Sequence, residues 1–375
     1  MKAPRESRMA VERILVVKPS AFGDIVHSLP FLEVLRRNFP KAHIAWVVSR
    51  ANADLLAGHP DLDEVILFER ERWGGKTGFI RRAREMWGFV RELRRGRYDL
   101  VVDLQGLFRS GLLSYLTRAR QRVGFADARE LGWLFYNVRV PRREGEEPVH
   151  AVDRYLDAAR TLGLELSERP VFHVAVGEEA RKFAREELAQ RNSGGRPIVV
   201  MLPSSRWETK RWPADSFAEL GDRVVGSLGA TVLFLGSGAD KPLVERIRGM
   251  MRERSASLAG STTVKQSAAI LELASAVVAN DTGPMHLAVA LGCSVVSLYG
   301  PTDPERTGPY DGKARVFVST RECAPCFREL CEDAECMRDI SVDEVFEAVR
   351  GFLCSVENLR AQAPHPPSSP REGRT

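Results

Sequence analysis

The sequence lacks an apolar run long enough to cross a membrane. The longest candidate, "HLAVALGCSVVSLYG", is shorter than the ~18 residues that a spanning helix needs. The sequence also lacks a recognisable secretion signal, because its start, "MKAPRESRMAVER", is charged and the apolar run that follows is short. We therefore expect a cytoplasmic protein that can contact a membrane surface.

The chain has little net charge, with 55 Lys and Arg against 50 Asp and Glu, or +5 overall. This balance is too weak by itself to indicate binding to nucleic acid, and we expect none. The positive charge is concentrated in residues 69–97, which contain ten basic and four acidic residues. We predict that this basic stretch contacts an acidic ligand.

Cysteine is scarce, with six in 375 residues, but four of the six lie close together in "CAPCFRELCEDAEC". These are Cys323, Cys326, Cys331 and Cys336. In a cytoplasmic enzyme such clustering favours a metal or free thiols over disulfides. Four thiolates can hold Zn or Fe tetrahedrally, so a structural metal, free thiols and disulfides all stay open at this stage.

Short β-branched runs alternate with amphipathic stretches along most of the chain. "RILVV", "AHIAWVV", "DEVILF" and "YDLVVDL" predict strands in the first half, and "RPIVVML", "ATVLFLG", "SAVVAN" and "CSVVSLYG" in the second. Such alternation is typical of an α/β fold with parallel sheets covered by helices on both faces. We predict two doubly wound domains, residues 1–178 and 179–358, and a disordered tail, residues 359–375, that is rich in Pro and Ser.

The first unusual loop, "KPSAFGDIVHSLP", follows a predicted strand. Gly23 permits a tight turn or a close backbone approach, and Asp24 lies near a helix N-terminus. An isolated Asp at this place is more often an N-cap than a catalytic group. Lys18 adds a positive charge nearby, and Pro30 interrupts the expected helix.

Two loops in the second half combine groups that bind anions. "LPSSRWETKRWP" supplies hydroxyls and cations, and "NDTGPMHLAVALG" places the amides of Thr282 and Gly283 at the start of a helix. A solvated basic loop and a packed helix histidine at His286 are the alternatives. The glycine-rich "LGSGADK" matches neither the P-loop nor GxGxxG, so it indicates only a tight turn near a ligand. A cleft between the two domains would suit a nucleotide-sugar transferase.

Several segments resemble the bacterial ADP-heptose:lipopolysaccharide heptosyltransferases of glycosyltransferase family nine. They are "ILVVKPSAFGDIVHSLP", "DLQGLFRSGLL", "SRWETKRWP", "NDTGPMHLAVALG" and "YGPTDPERTGPY", and the resemblance runs from about residue 13 to residue 355. "DARELGWLFYN" followed by "HAVDRYL" resembles the type I enzymes more than type II. The resemblance implies a GT-B fold, in which two Rossmann-like domains face each other across a cleft.

The resemblance also implies a reaction. Heptose would pass from ADP-L-glycero-D-manno-heptose to Kdo of the lipopolysaccharide inner core, Kdo2-lipid A, with inversion and without a cofactor for catalysis. Asp24 matches the general base of the family. The donor residues implied by the match are Ser204, Ser205, Lys210, Asp240, Thr262, Asp281, Thr282, Gly283 and His286. The family often has threonines where Ser204 and Ser205 stand, and the loop before Lys210 is one residue longer than in some type I members.

The implied acceptor is an acidic glycolipid on the cytoplasmic face of the inner membrane. We expect Lys18, Arg70, Arg72, Arg109 and Arg129 to contact its carboxylates and phosphates, because arginine suits bidentate recognition of such groups. We therefore expect peripheral membrane association that is sensitive to salt.

Three alternatives stay open. A type II enzyme would use a different position of the core, and another member of the family would use a different glycolipid or a protein. The cysteine cluster keeps the protein acceptor open, because similar knuckles occur in relatives that glycosylate autotransporters. A non-catalytic nucleotide-binding module is the third alternative, although a pure binder does not need Asp24 facing Asp281.

Overall fold

We analysed a computed structural model of the chain. It describes residues 11–68, 79–143, 145, 148–192, 194–310, 312–333 and 335–362. The predicted acceptor residues Arg70 and Arg72 lie outside the described residues, as do residues 363–375 of the predicted tail. Residues 359–362, which were predicted as part of the disordered tail, belong to the last helix.

The first domain is built on a six-stranded parallel sheet with the strand order β3-β2-β1-β4-β5-β6. Its strands are β1 (Arg13–Val17), β2 (His43–Ser49), β3 (Glu64–Phe68), β4 (Leu100–Asp103), β5 (Gln121–Phe125) and β6 (Val138–Val140). Its helices are α1 (Phe22–Asn38), α2 (Ala53–Leu56), α3 (Phe79–Arg95), α4 (Phe108–Leu116) and α5 (Ala151–Thr161). A short 3₁₀ helix, Gly132–Phe135, precedes β6.

The second domain repeats the same topology, with the order β12-β11-β10-β7-β8-β9. Its strands are β7 (Ile198–Leu202), β8 (Thr231–Phe234), β9 (Ala256–Ser257), β10 (Ala276–Asn280), β11 (Val295–Tyr299) and β12 (Ala314–Val318). The helices are α6 (Glu178–Arg191), α7 (Ala214–Leu228), α8 (Lys241–Met250), α9 (Val264–Glu272), α10 (Gly283–Ala290), α11 (Pro304–Thr307) and α12 (Val342–Gln362). Both domains therefore have the doubly wound order in which ligands bind where the strand order reverses.

The eight runs predicted as strands all form strands. Seven of them are inner strands, whose continuous apolar character suits burial on both faces, whereas β3 lies at the edge of its sheet and is partly exposed. Sequence inspection missed β5, β6, β9 and β12. β12 is an edge strand with partly exposed residues, β9 is two residues long, and β5 begins with two polar residues. Each therefore lacks the apolar run by which the others were found.

Helix α1 lies at the junction of the two domains. It continues through Pro30, which is buried within it, and packs against α5 on one side and α10 on the other. Helix α6 belongs by its contacts to the second domain, since it packs on α9 and Arg181 forms a bidentate ion pair with Glu272 at 2.8 and 2.9 Å. Within the described residues, no helix is both long and apolar enough to cross a membrane.

Two glycines allow the first turns of α1 and α10 to meet. A Cβ atom at Gly23 would lie 2.7 Å from Cδ2 of His286, and one at Gly283 would lie 2.7 Å from Cδ1 of Phe22. Both distances are too short for real carbon contacts. The absence of a side chain at these two positions therefore sets how closely the two domains approach.

Gly23→Ala should destabilise the protein, because the added methyl group meets an imidazole that is held by its own hydrogen bonds. We expect the free energy of unfolding to fall by about 1–2 kcal/mol, the usual effect of overpacking. Gly249→Ala is the matched control, since Gly249 lies in α8 with open space around it and alanine should raise the helix stability by about 0.5–1 kcal/mol. Equal unfolding midpoints for the two variants would contradict the close approach.

Candidate active site

The site is built from loops at the carboxyl ends of strands, at the two places where the strand order reverses. In the first domain these loops follow β1 and β4, and in the second they follow β7 and β10. Because helices α1 and α10 begin in two of these loops, their N-termini bring the polar groups of both domains together.

Asp24 is the third residue of α1. The N-cap is Ala21, whose backbone is extended, so the expectation that Asp24 is the N-cap is wrong by three positions. Its Oδ2 accepts a hydrogen bond from the amide of Ala21 at 3.1 Å and lies 3.6 Å from Nζ of Lys18. The side chain is nevertheless 40% exposed and lines a cavity of about 800 Å³. The helix start thus fixes a carboxylate that stays open to a ligand.

Lys18 is buried directly beneath Asp24. Burial lowers the pKa of Lys18, while the carboxylates of Asp24 and Asp103 oppose that shift. Its ammonium lies over the ring of Tyr155 at 5.3 Å. Burial, followed by the neighbouring Asp24, raises the pKa of Tyr155 well above its usual value, so Tyr155 is a phenol at neutral pH. The sequence predicted Lys18 as a contact for the acceptor. Because Lys18 is buried, it positions Asp24 instead.

The cavity beside Asp24 is rich in arginine. Arg129, predicted from the sequence, lines it, and four further arginines that sequence inspection missed line it too: Arg142, Arg143, Arg154 and Arg306. Arg142, Arg143 and Arg154 lie close together in the first domain, whereas Arg306 comes from the second domain, and the four carry no shared motif. Arg154 is bound by Asp127 at 2.6 and 3.0 Å and Arg143 by Asp157 at 2.7 and 2.8 Å. Among the residues that the structure describes, no carboxylate forms an ion pair with Arg129.

Arg109 lies elsewhere. It lines a separate cavity of about 530 Å³ in the first domain, together with Ser20, Ala21 and Gln105. Arg109 and Arg129 were both predicted to contact the acceptor, but they line different cavities on either side of the β1–α1 loop. Phe22 lines the cavity of Arg109 and also lines a cavity of about 310 Å³ in the second domain, so it lies between the two.

In the second domain, Asp281 is the centre of a buried polar cluster. Its Oδ2 accepts hydrogen bonds from Nζ of Lys210 at 2.6 Å and from Oγ1 of Thr302 at 2.8 Å, and its Oδ1 lies 3.5 Å from Nε2 of His286. Burial alone would raise the pKa of Asp281, but the hydrogen bond from His286 and the charges of His286 and Lys210 hold it well below its usual range. Lys210, Asp281 and His286 were predicted as donor residues, but their mutual contacts were not predicted, and Thr302 was not named although it lies in the segment "YGPTDPERTGPY".

Beside this cluster lies a cavity of about 310 Å³ lined mostly by apolar side chains. Three of the predicted donor residues, Ser204, Thr262 and Thr282, line it. The Ser204 hydroxyl is buried and has no hydrogen-bond partner among the described residues, whereas Thr262 bonds to Oγ of Ser267 at 2.8 Å. The unpartnered hydroxyl at the cavity wall is available for a bound molecule.

Ser205 and Asp240 have local structural contacts. Ser205 is buried and donates to the backbone oxygen of Asp281 at 3.0 Å, so it supports the Asp281 loop. Asp240 accepts hydrogen bonds from the amide and hydroxyl of Ser237, both at 2.7 Å. It thereby fixes the tight turn predicted for "LGSGADK", and Gly236 of this turn lines the cavity.

A histidine pair crosses from one domain to the other. Nε2 of His27, on α1, lies 3.1 Å from Nδ1 of His286, on α10, and the ring of His150 lies 5.4 Å from that of His27. Burial, followed by the charges of His286 and His150, lowers the pKa of His27 well below its usual value, so His27 is neutral at physiological pH. Sequence inspection missed His27, although it is part of "GDIVHSLP" and lies one turn after Gly23.

The arrangement of the cysteine cluster does not support a structural metal. Across the described part of the chain, no group of three or more His, Cys, Asp or Glu side chains is placed to hold a metal ion. Cys336 is buried in the core of the second domain, whereas Cys323 and Cys331 are exposed. Burial raises the pKa of the Cys336 thiol, and the neighbouring thiols raise it further. The four residues thus lie in one region without converging on one point.

The two doubly wound domains meet across a cleft, with the Asp24 carboxylate on one side and the Asp281 cluster on the other, which is the arrangement of the GT-B fold. The sequence profile of glycosyltransferase family 9 (heptosyltransferase) matches residues 86–336. Lipopolysaccharide heptosyltransferase 1 of Pseudomonas aeruginosa is 34% identical over 323 residues, which cover 85% of this chain and 87% of that protein. The chain therefore belongs to glycosyltransferase family 9.

Solved structures agree with this assignment. A family 9 glycosyl transferase from Veillonella parvula superposes with a TM-score of 0.78 and 26% identity, over 92% of this chain and 99% of that one. The Escherichia coli heptosyltransferase WaaC with ADP-2-deoxy-2-fluoro heptose superposes with a TM-score of 0.68 and 25% identity, over 92% and 99% of the two chains. The fold and the enzyme class predicted from the sequence are thereby confirmed.

The ion pair between Lys210 and Asp281 should make stability depend on pH. Because the pKa of Asp281 in the folded state lies below its ordinary value of 3.8, this pair stabilises the fold above pH 3.8, and that contribution is lost as the pH falls through the folded-state pKa. Lys210→Met should lower the free energy of unfolding by about 3 kcal/mol at neutral pH. In urea titrations, the difference from the wild type should shrink on acidification.

Lys182→Met is the control for this experiment, since Lys182 and Glu186 form an exposed pair at 3.9 Å. We expect a change below about 0.5 kcal/mol for it. A similarly small change for Lys210→Met, or a difference that grows on acidification, would show that the buried pair does not stabilise the fold.

Proposed function

We propose that this enzyme transfers heptose, with inversion, from ADP-L-glycero-D-manno-heptose to Kdo of the lipopolysaccharide inner core. The observation that carries the proposal is the position of Asp24. It is fixed by a helix N-terminus, open to a cavity rich in arginine, and one residue from the contact between Gly23 and His286 that joins the two domains.

Asp24 is the proposed general base. Its carboxylate would accept the proton of the Kdo hydroxyl while that oxygen forms a bond to the anomeric carbon of heptose and the bond from that carbon to the ADP oxygen breaks. A single displacement of this kind inverts the configuration, because the nucleophile and the leaving group occupy opposite faces of the sugar. The hydrogen bond from Ala21 and the nearby Lys18 ammonium orient the carboxylate for this role.

The second domain is the proposed donor site. Negative charge develops on the leaving ADP, so cations and helix amides should face it. Lys210 and the N-terminus of α10, with the amides of Thr282 and Gly283, supply these groups. The cavity lined by Ser204 and Thr262 has room for the nucleoside. Asp281 would hold Lys210 in place beside the leaving phosphate.

The first domain is the proposed acceptor site. An acceptor that carries carboxylates and phosphates suits Arg129, which lines the same cavity as Asp24. This acceptor is a glycolipid, so the enzyme would act at the cytoplasmic face of the inner membrane as a peripheral protein. No cofactor enters the proposed chemistry.

The direct test incubates the enzyme with ADP-heptose and purified Kdo2-lipid A and analyses the product by mass spectrometry. We expect the addition of one heptose. Addition only to core that already carries heptose would assign the type II reaction instead, and addition only to a protein would move the acceptor to another class. Absence of transfer to all three acceptors would refute the proposal.

Asp24→Asn should abolish transfer while donor binding is retained. The amide cannot accept the proton, so kcat should fall about 10²- to 10⁴-fold, and the affinity for ADP-heptose measured by calorimetry should be unchanged. Asp215→Asn is the matched control, because Asp215 is exposed in the first turn of α7, away from the cleft. A fully active Asp24→Asn enzyme would show that Asp24 is not the base.

A further inference from the structure

The first domain presents a row of paired arginine and aromatic side chains outside the cleft. Arg94 lies over the ring of Trp87 at 5.1 Å, Arg122 over Tyr115 at 5.5 Å and Arg139 over Trp133 at 4.9 Å. The pairs lie on neighbouring elements, because Nε of Arg94 donates to the backbone oxygen of Leu116, one residue after Tyr115. We call these three pairs and the apolar residues between them the aromatic–arginine surface.

Helix α4 and the 3₁₀ helix Gly132–Phe135 form the middle of this surface. They pack backbone to backbone, since a Cβ atom at Gly111 would lie 2.7 Å from the oxygen of Gly132. Phe135 fills the gap between Phe108 and Tyr115, with ring centroids 5.2 and 6.0 Å apart. Phe108 and Tyr115 are two helical turns apart on one face of α4 and are 41% and 52% exposed.

Two leucines extend from this surface into solvent. Leu131 is 57% exposed and Leu134 is 54% exposed. The loop that presents them is strained, because Glu130 and Leu131 have φ angles of 56° and 63°, in the left-handed region that residues other than glycine rarely adopt. Strain of this kind persists where the surrounding structure enforces it, and it concentrates at functional sites.

The charge of the same region has one predominant sign. Residues 107–140 contain six arginines and no lysine, against the two acids Asp127 and Glu130. Exposed leucines and aromatic rings interleaved with arginines are the chemistry that suits the boundary between anionic headgroups and acyl chains. There the rings and leucines enter the apolar layer, while exposed guanidinium groups such as that of Arg139 contact phosphates.

The surface also lies beside both cavities of the first domain. Glu130, which precedes Leu131, lines the cavity of Arg109, and Arg129 lines the cavity of Asp24. A bilayer that contacts Leu131 would therefore lie close to the proposed acceptor site, because Arg129, two residues before Leu131, lines that site. A glycolipid could then reach Asp24 with its acyl chains still in the membrane.

We propose that the aromatic–arginine surface docks the enzyme onto a bilayer that contains anionic lipids, with Leu131 and Leu134 inserted below the headgroups. The proposal deepens the proposed function and rests on it for the identity of the acceptor, but the docking itself requires neither the donor nor the acceptor. It assigns the membrane contact to α4 and the loop before β6 of the first domain.

Flotation with lipid vesicles tests the docking. The full chain should float with vesicles of three parts phosphatidylethanolamine to one part phosphatidylglycerol, but not with phosphatidylcholine alone, and high salt should reduce the bound fraction. The double variant Leu131→Ser/Leu134→Ser should bind the anionic vesicles about tenfold more weakly. Arg139→Gln should weaken binding about fivefold.

The double variant Leu273→Ser/Leu330→Ser is the control, because these leucines are 45% and 88% exposed in the second domain and should not affect binding. Unchanged vesicle binding by Leu131→Ser/Leu134→Ser would overturn the proposal. So would a wild-type chain that does not bind anionic vesicles.

A water-soluble, deacylated Kdo acceptor separates this proposal from the proposed function. Transfer to it should be the same for the wild type and for Leu131→Ser/Leu134→Ser, which also shows that the variant is folded. Transfer to acceptor in vesicles should fall with vesicle binding. If the wild type transfers no heptose to the soluble acceptor, the proposed function fails, and the flotation result still decides the docking.

Discussion

The structure depends on the close contact between the N-termini of α1 and α10. This contact is possible because Gly23 and Gly283 have no side chain where His286 and Phe22 lie. It brings two helix ends, each with free amides and a positive dipole, to the same place from opposite domains. A carboxylate beside one of them and a ligand phosphate beside the other are both stabilised there. The cleft therefore depends on a close approach that a methyl group on either glycine would obstruct.

Two aspartates at this junction have different environments and, in our proposal, different tasks. Asp281 is buried and hydrogen-bonded to Lys210 and Thr302, so its charge is compensated and its lone pairs are largely committed. Asp24 has one backbone donor and the Lys18 ammonium 3.6 Å away, and it remains 40% exposed. A carboxylate that accepts a proton from a substrate needs free lone pairs and access to that substrate, and of these two only Asp24 has both.

Local patterns in the sequence predicted much of the fold and part of the site. Apolar runs predicted eight strands, seven of them inner strands, and residues in the loops after strands, such as Asp24, Asp281 and Ser204, are found at the cleft. Contacts between distant segments could not be predicted in this way. The pair of His27 and His286 joins residues 259 positions apart, and Arg306 reaches the cavity of Asp24 from the other domain. The burial of a charged residue could not be predicted from the sequence either. Lys18 was therefore predicted as an exposed contact for the acceptor, whereas the structure buries it.

The two domains share one strand order but not one chemistry, and the difference follows from the side chains in their loops. The loops of the second domain combine a Pro-started helix, hydroxyls and a compensated acid around an apolar cavity, an arrangement that suits a nucleotide. The first domain has arginines around an open cavity and an arginine-rich exterior with exposed leucines, which suits a large acidic amphiphile. Transfer between two such different molecules requires that each have its own surface and that the reacting atoms meet at the junction. The duplicated fold supplies two such surfaces, one at the carboxyl ends of the strands of each sheet, and α1 and α10 bring them into contact.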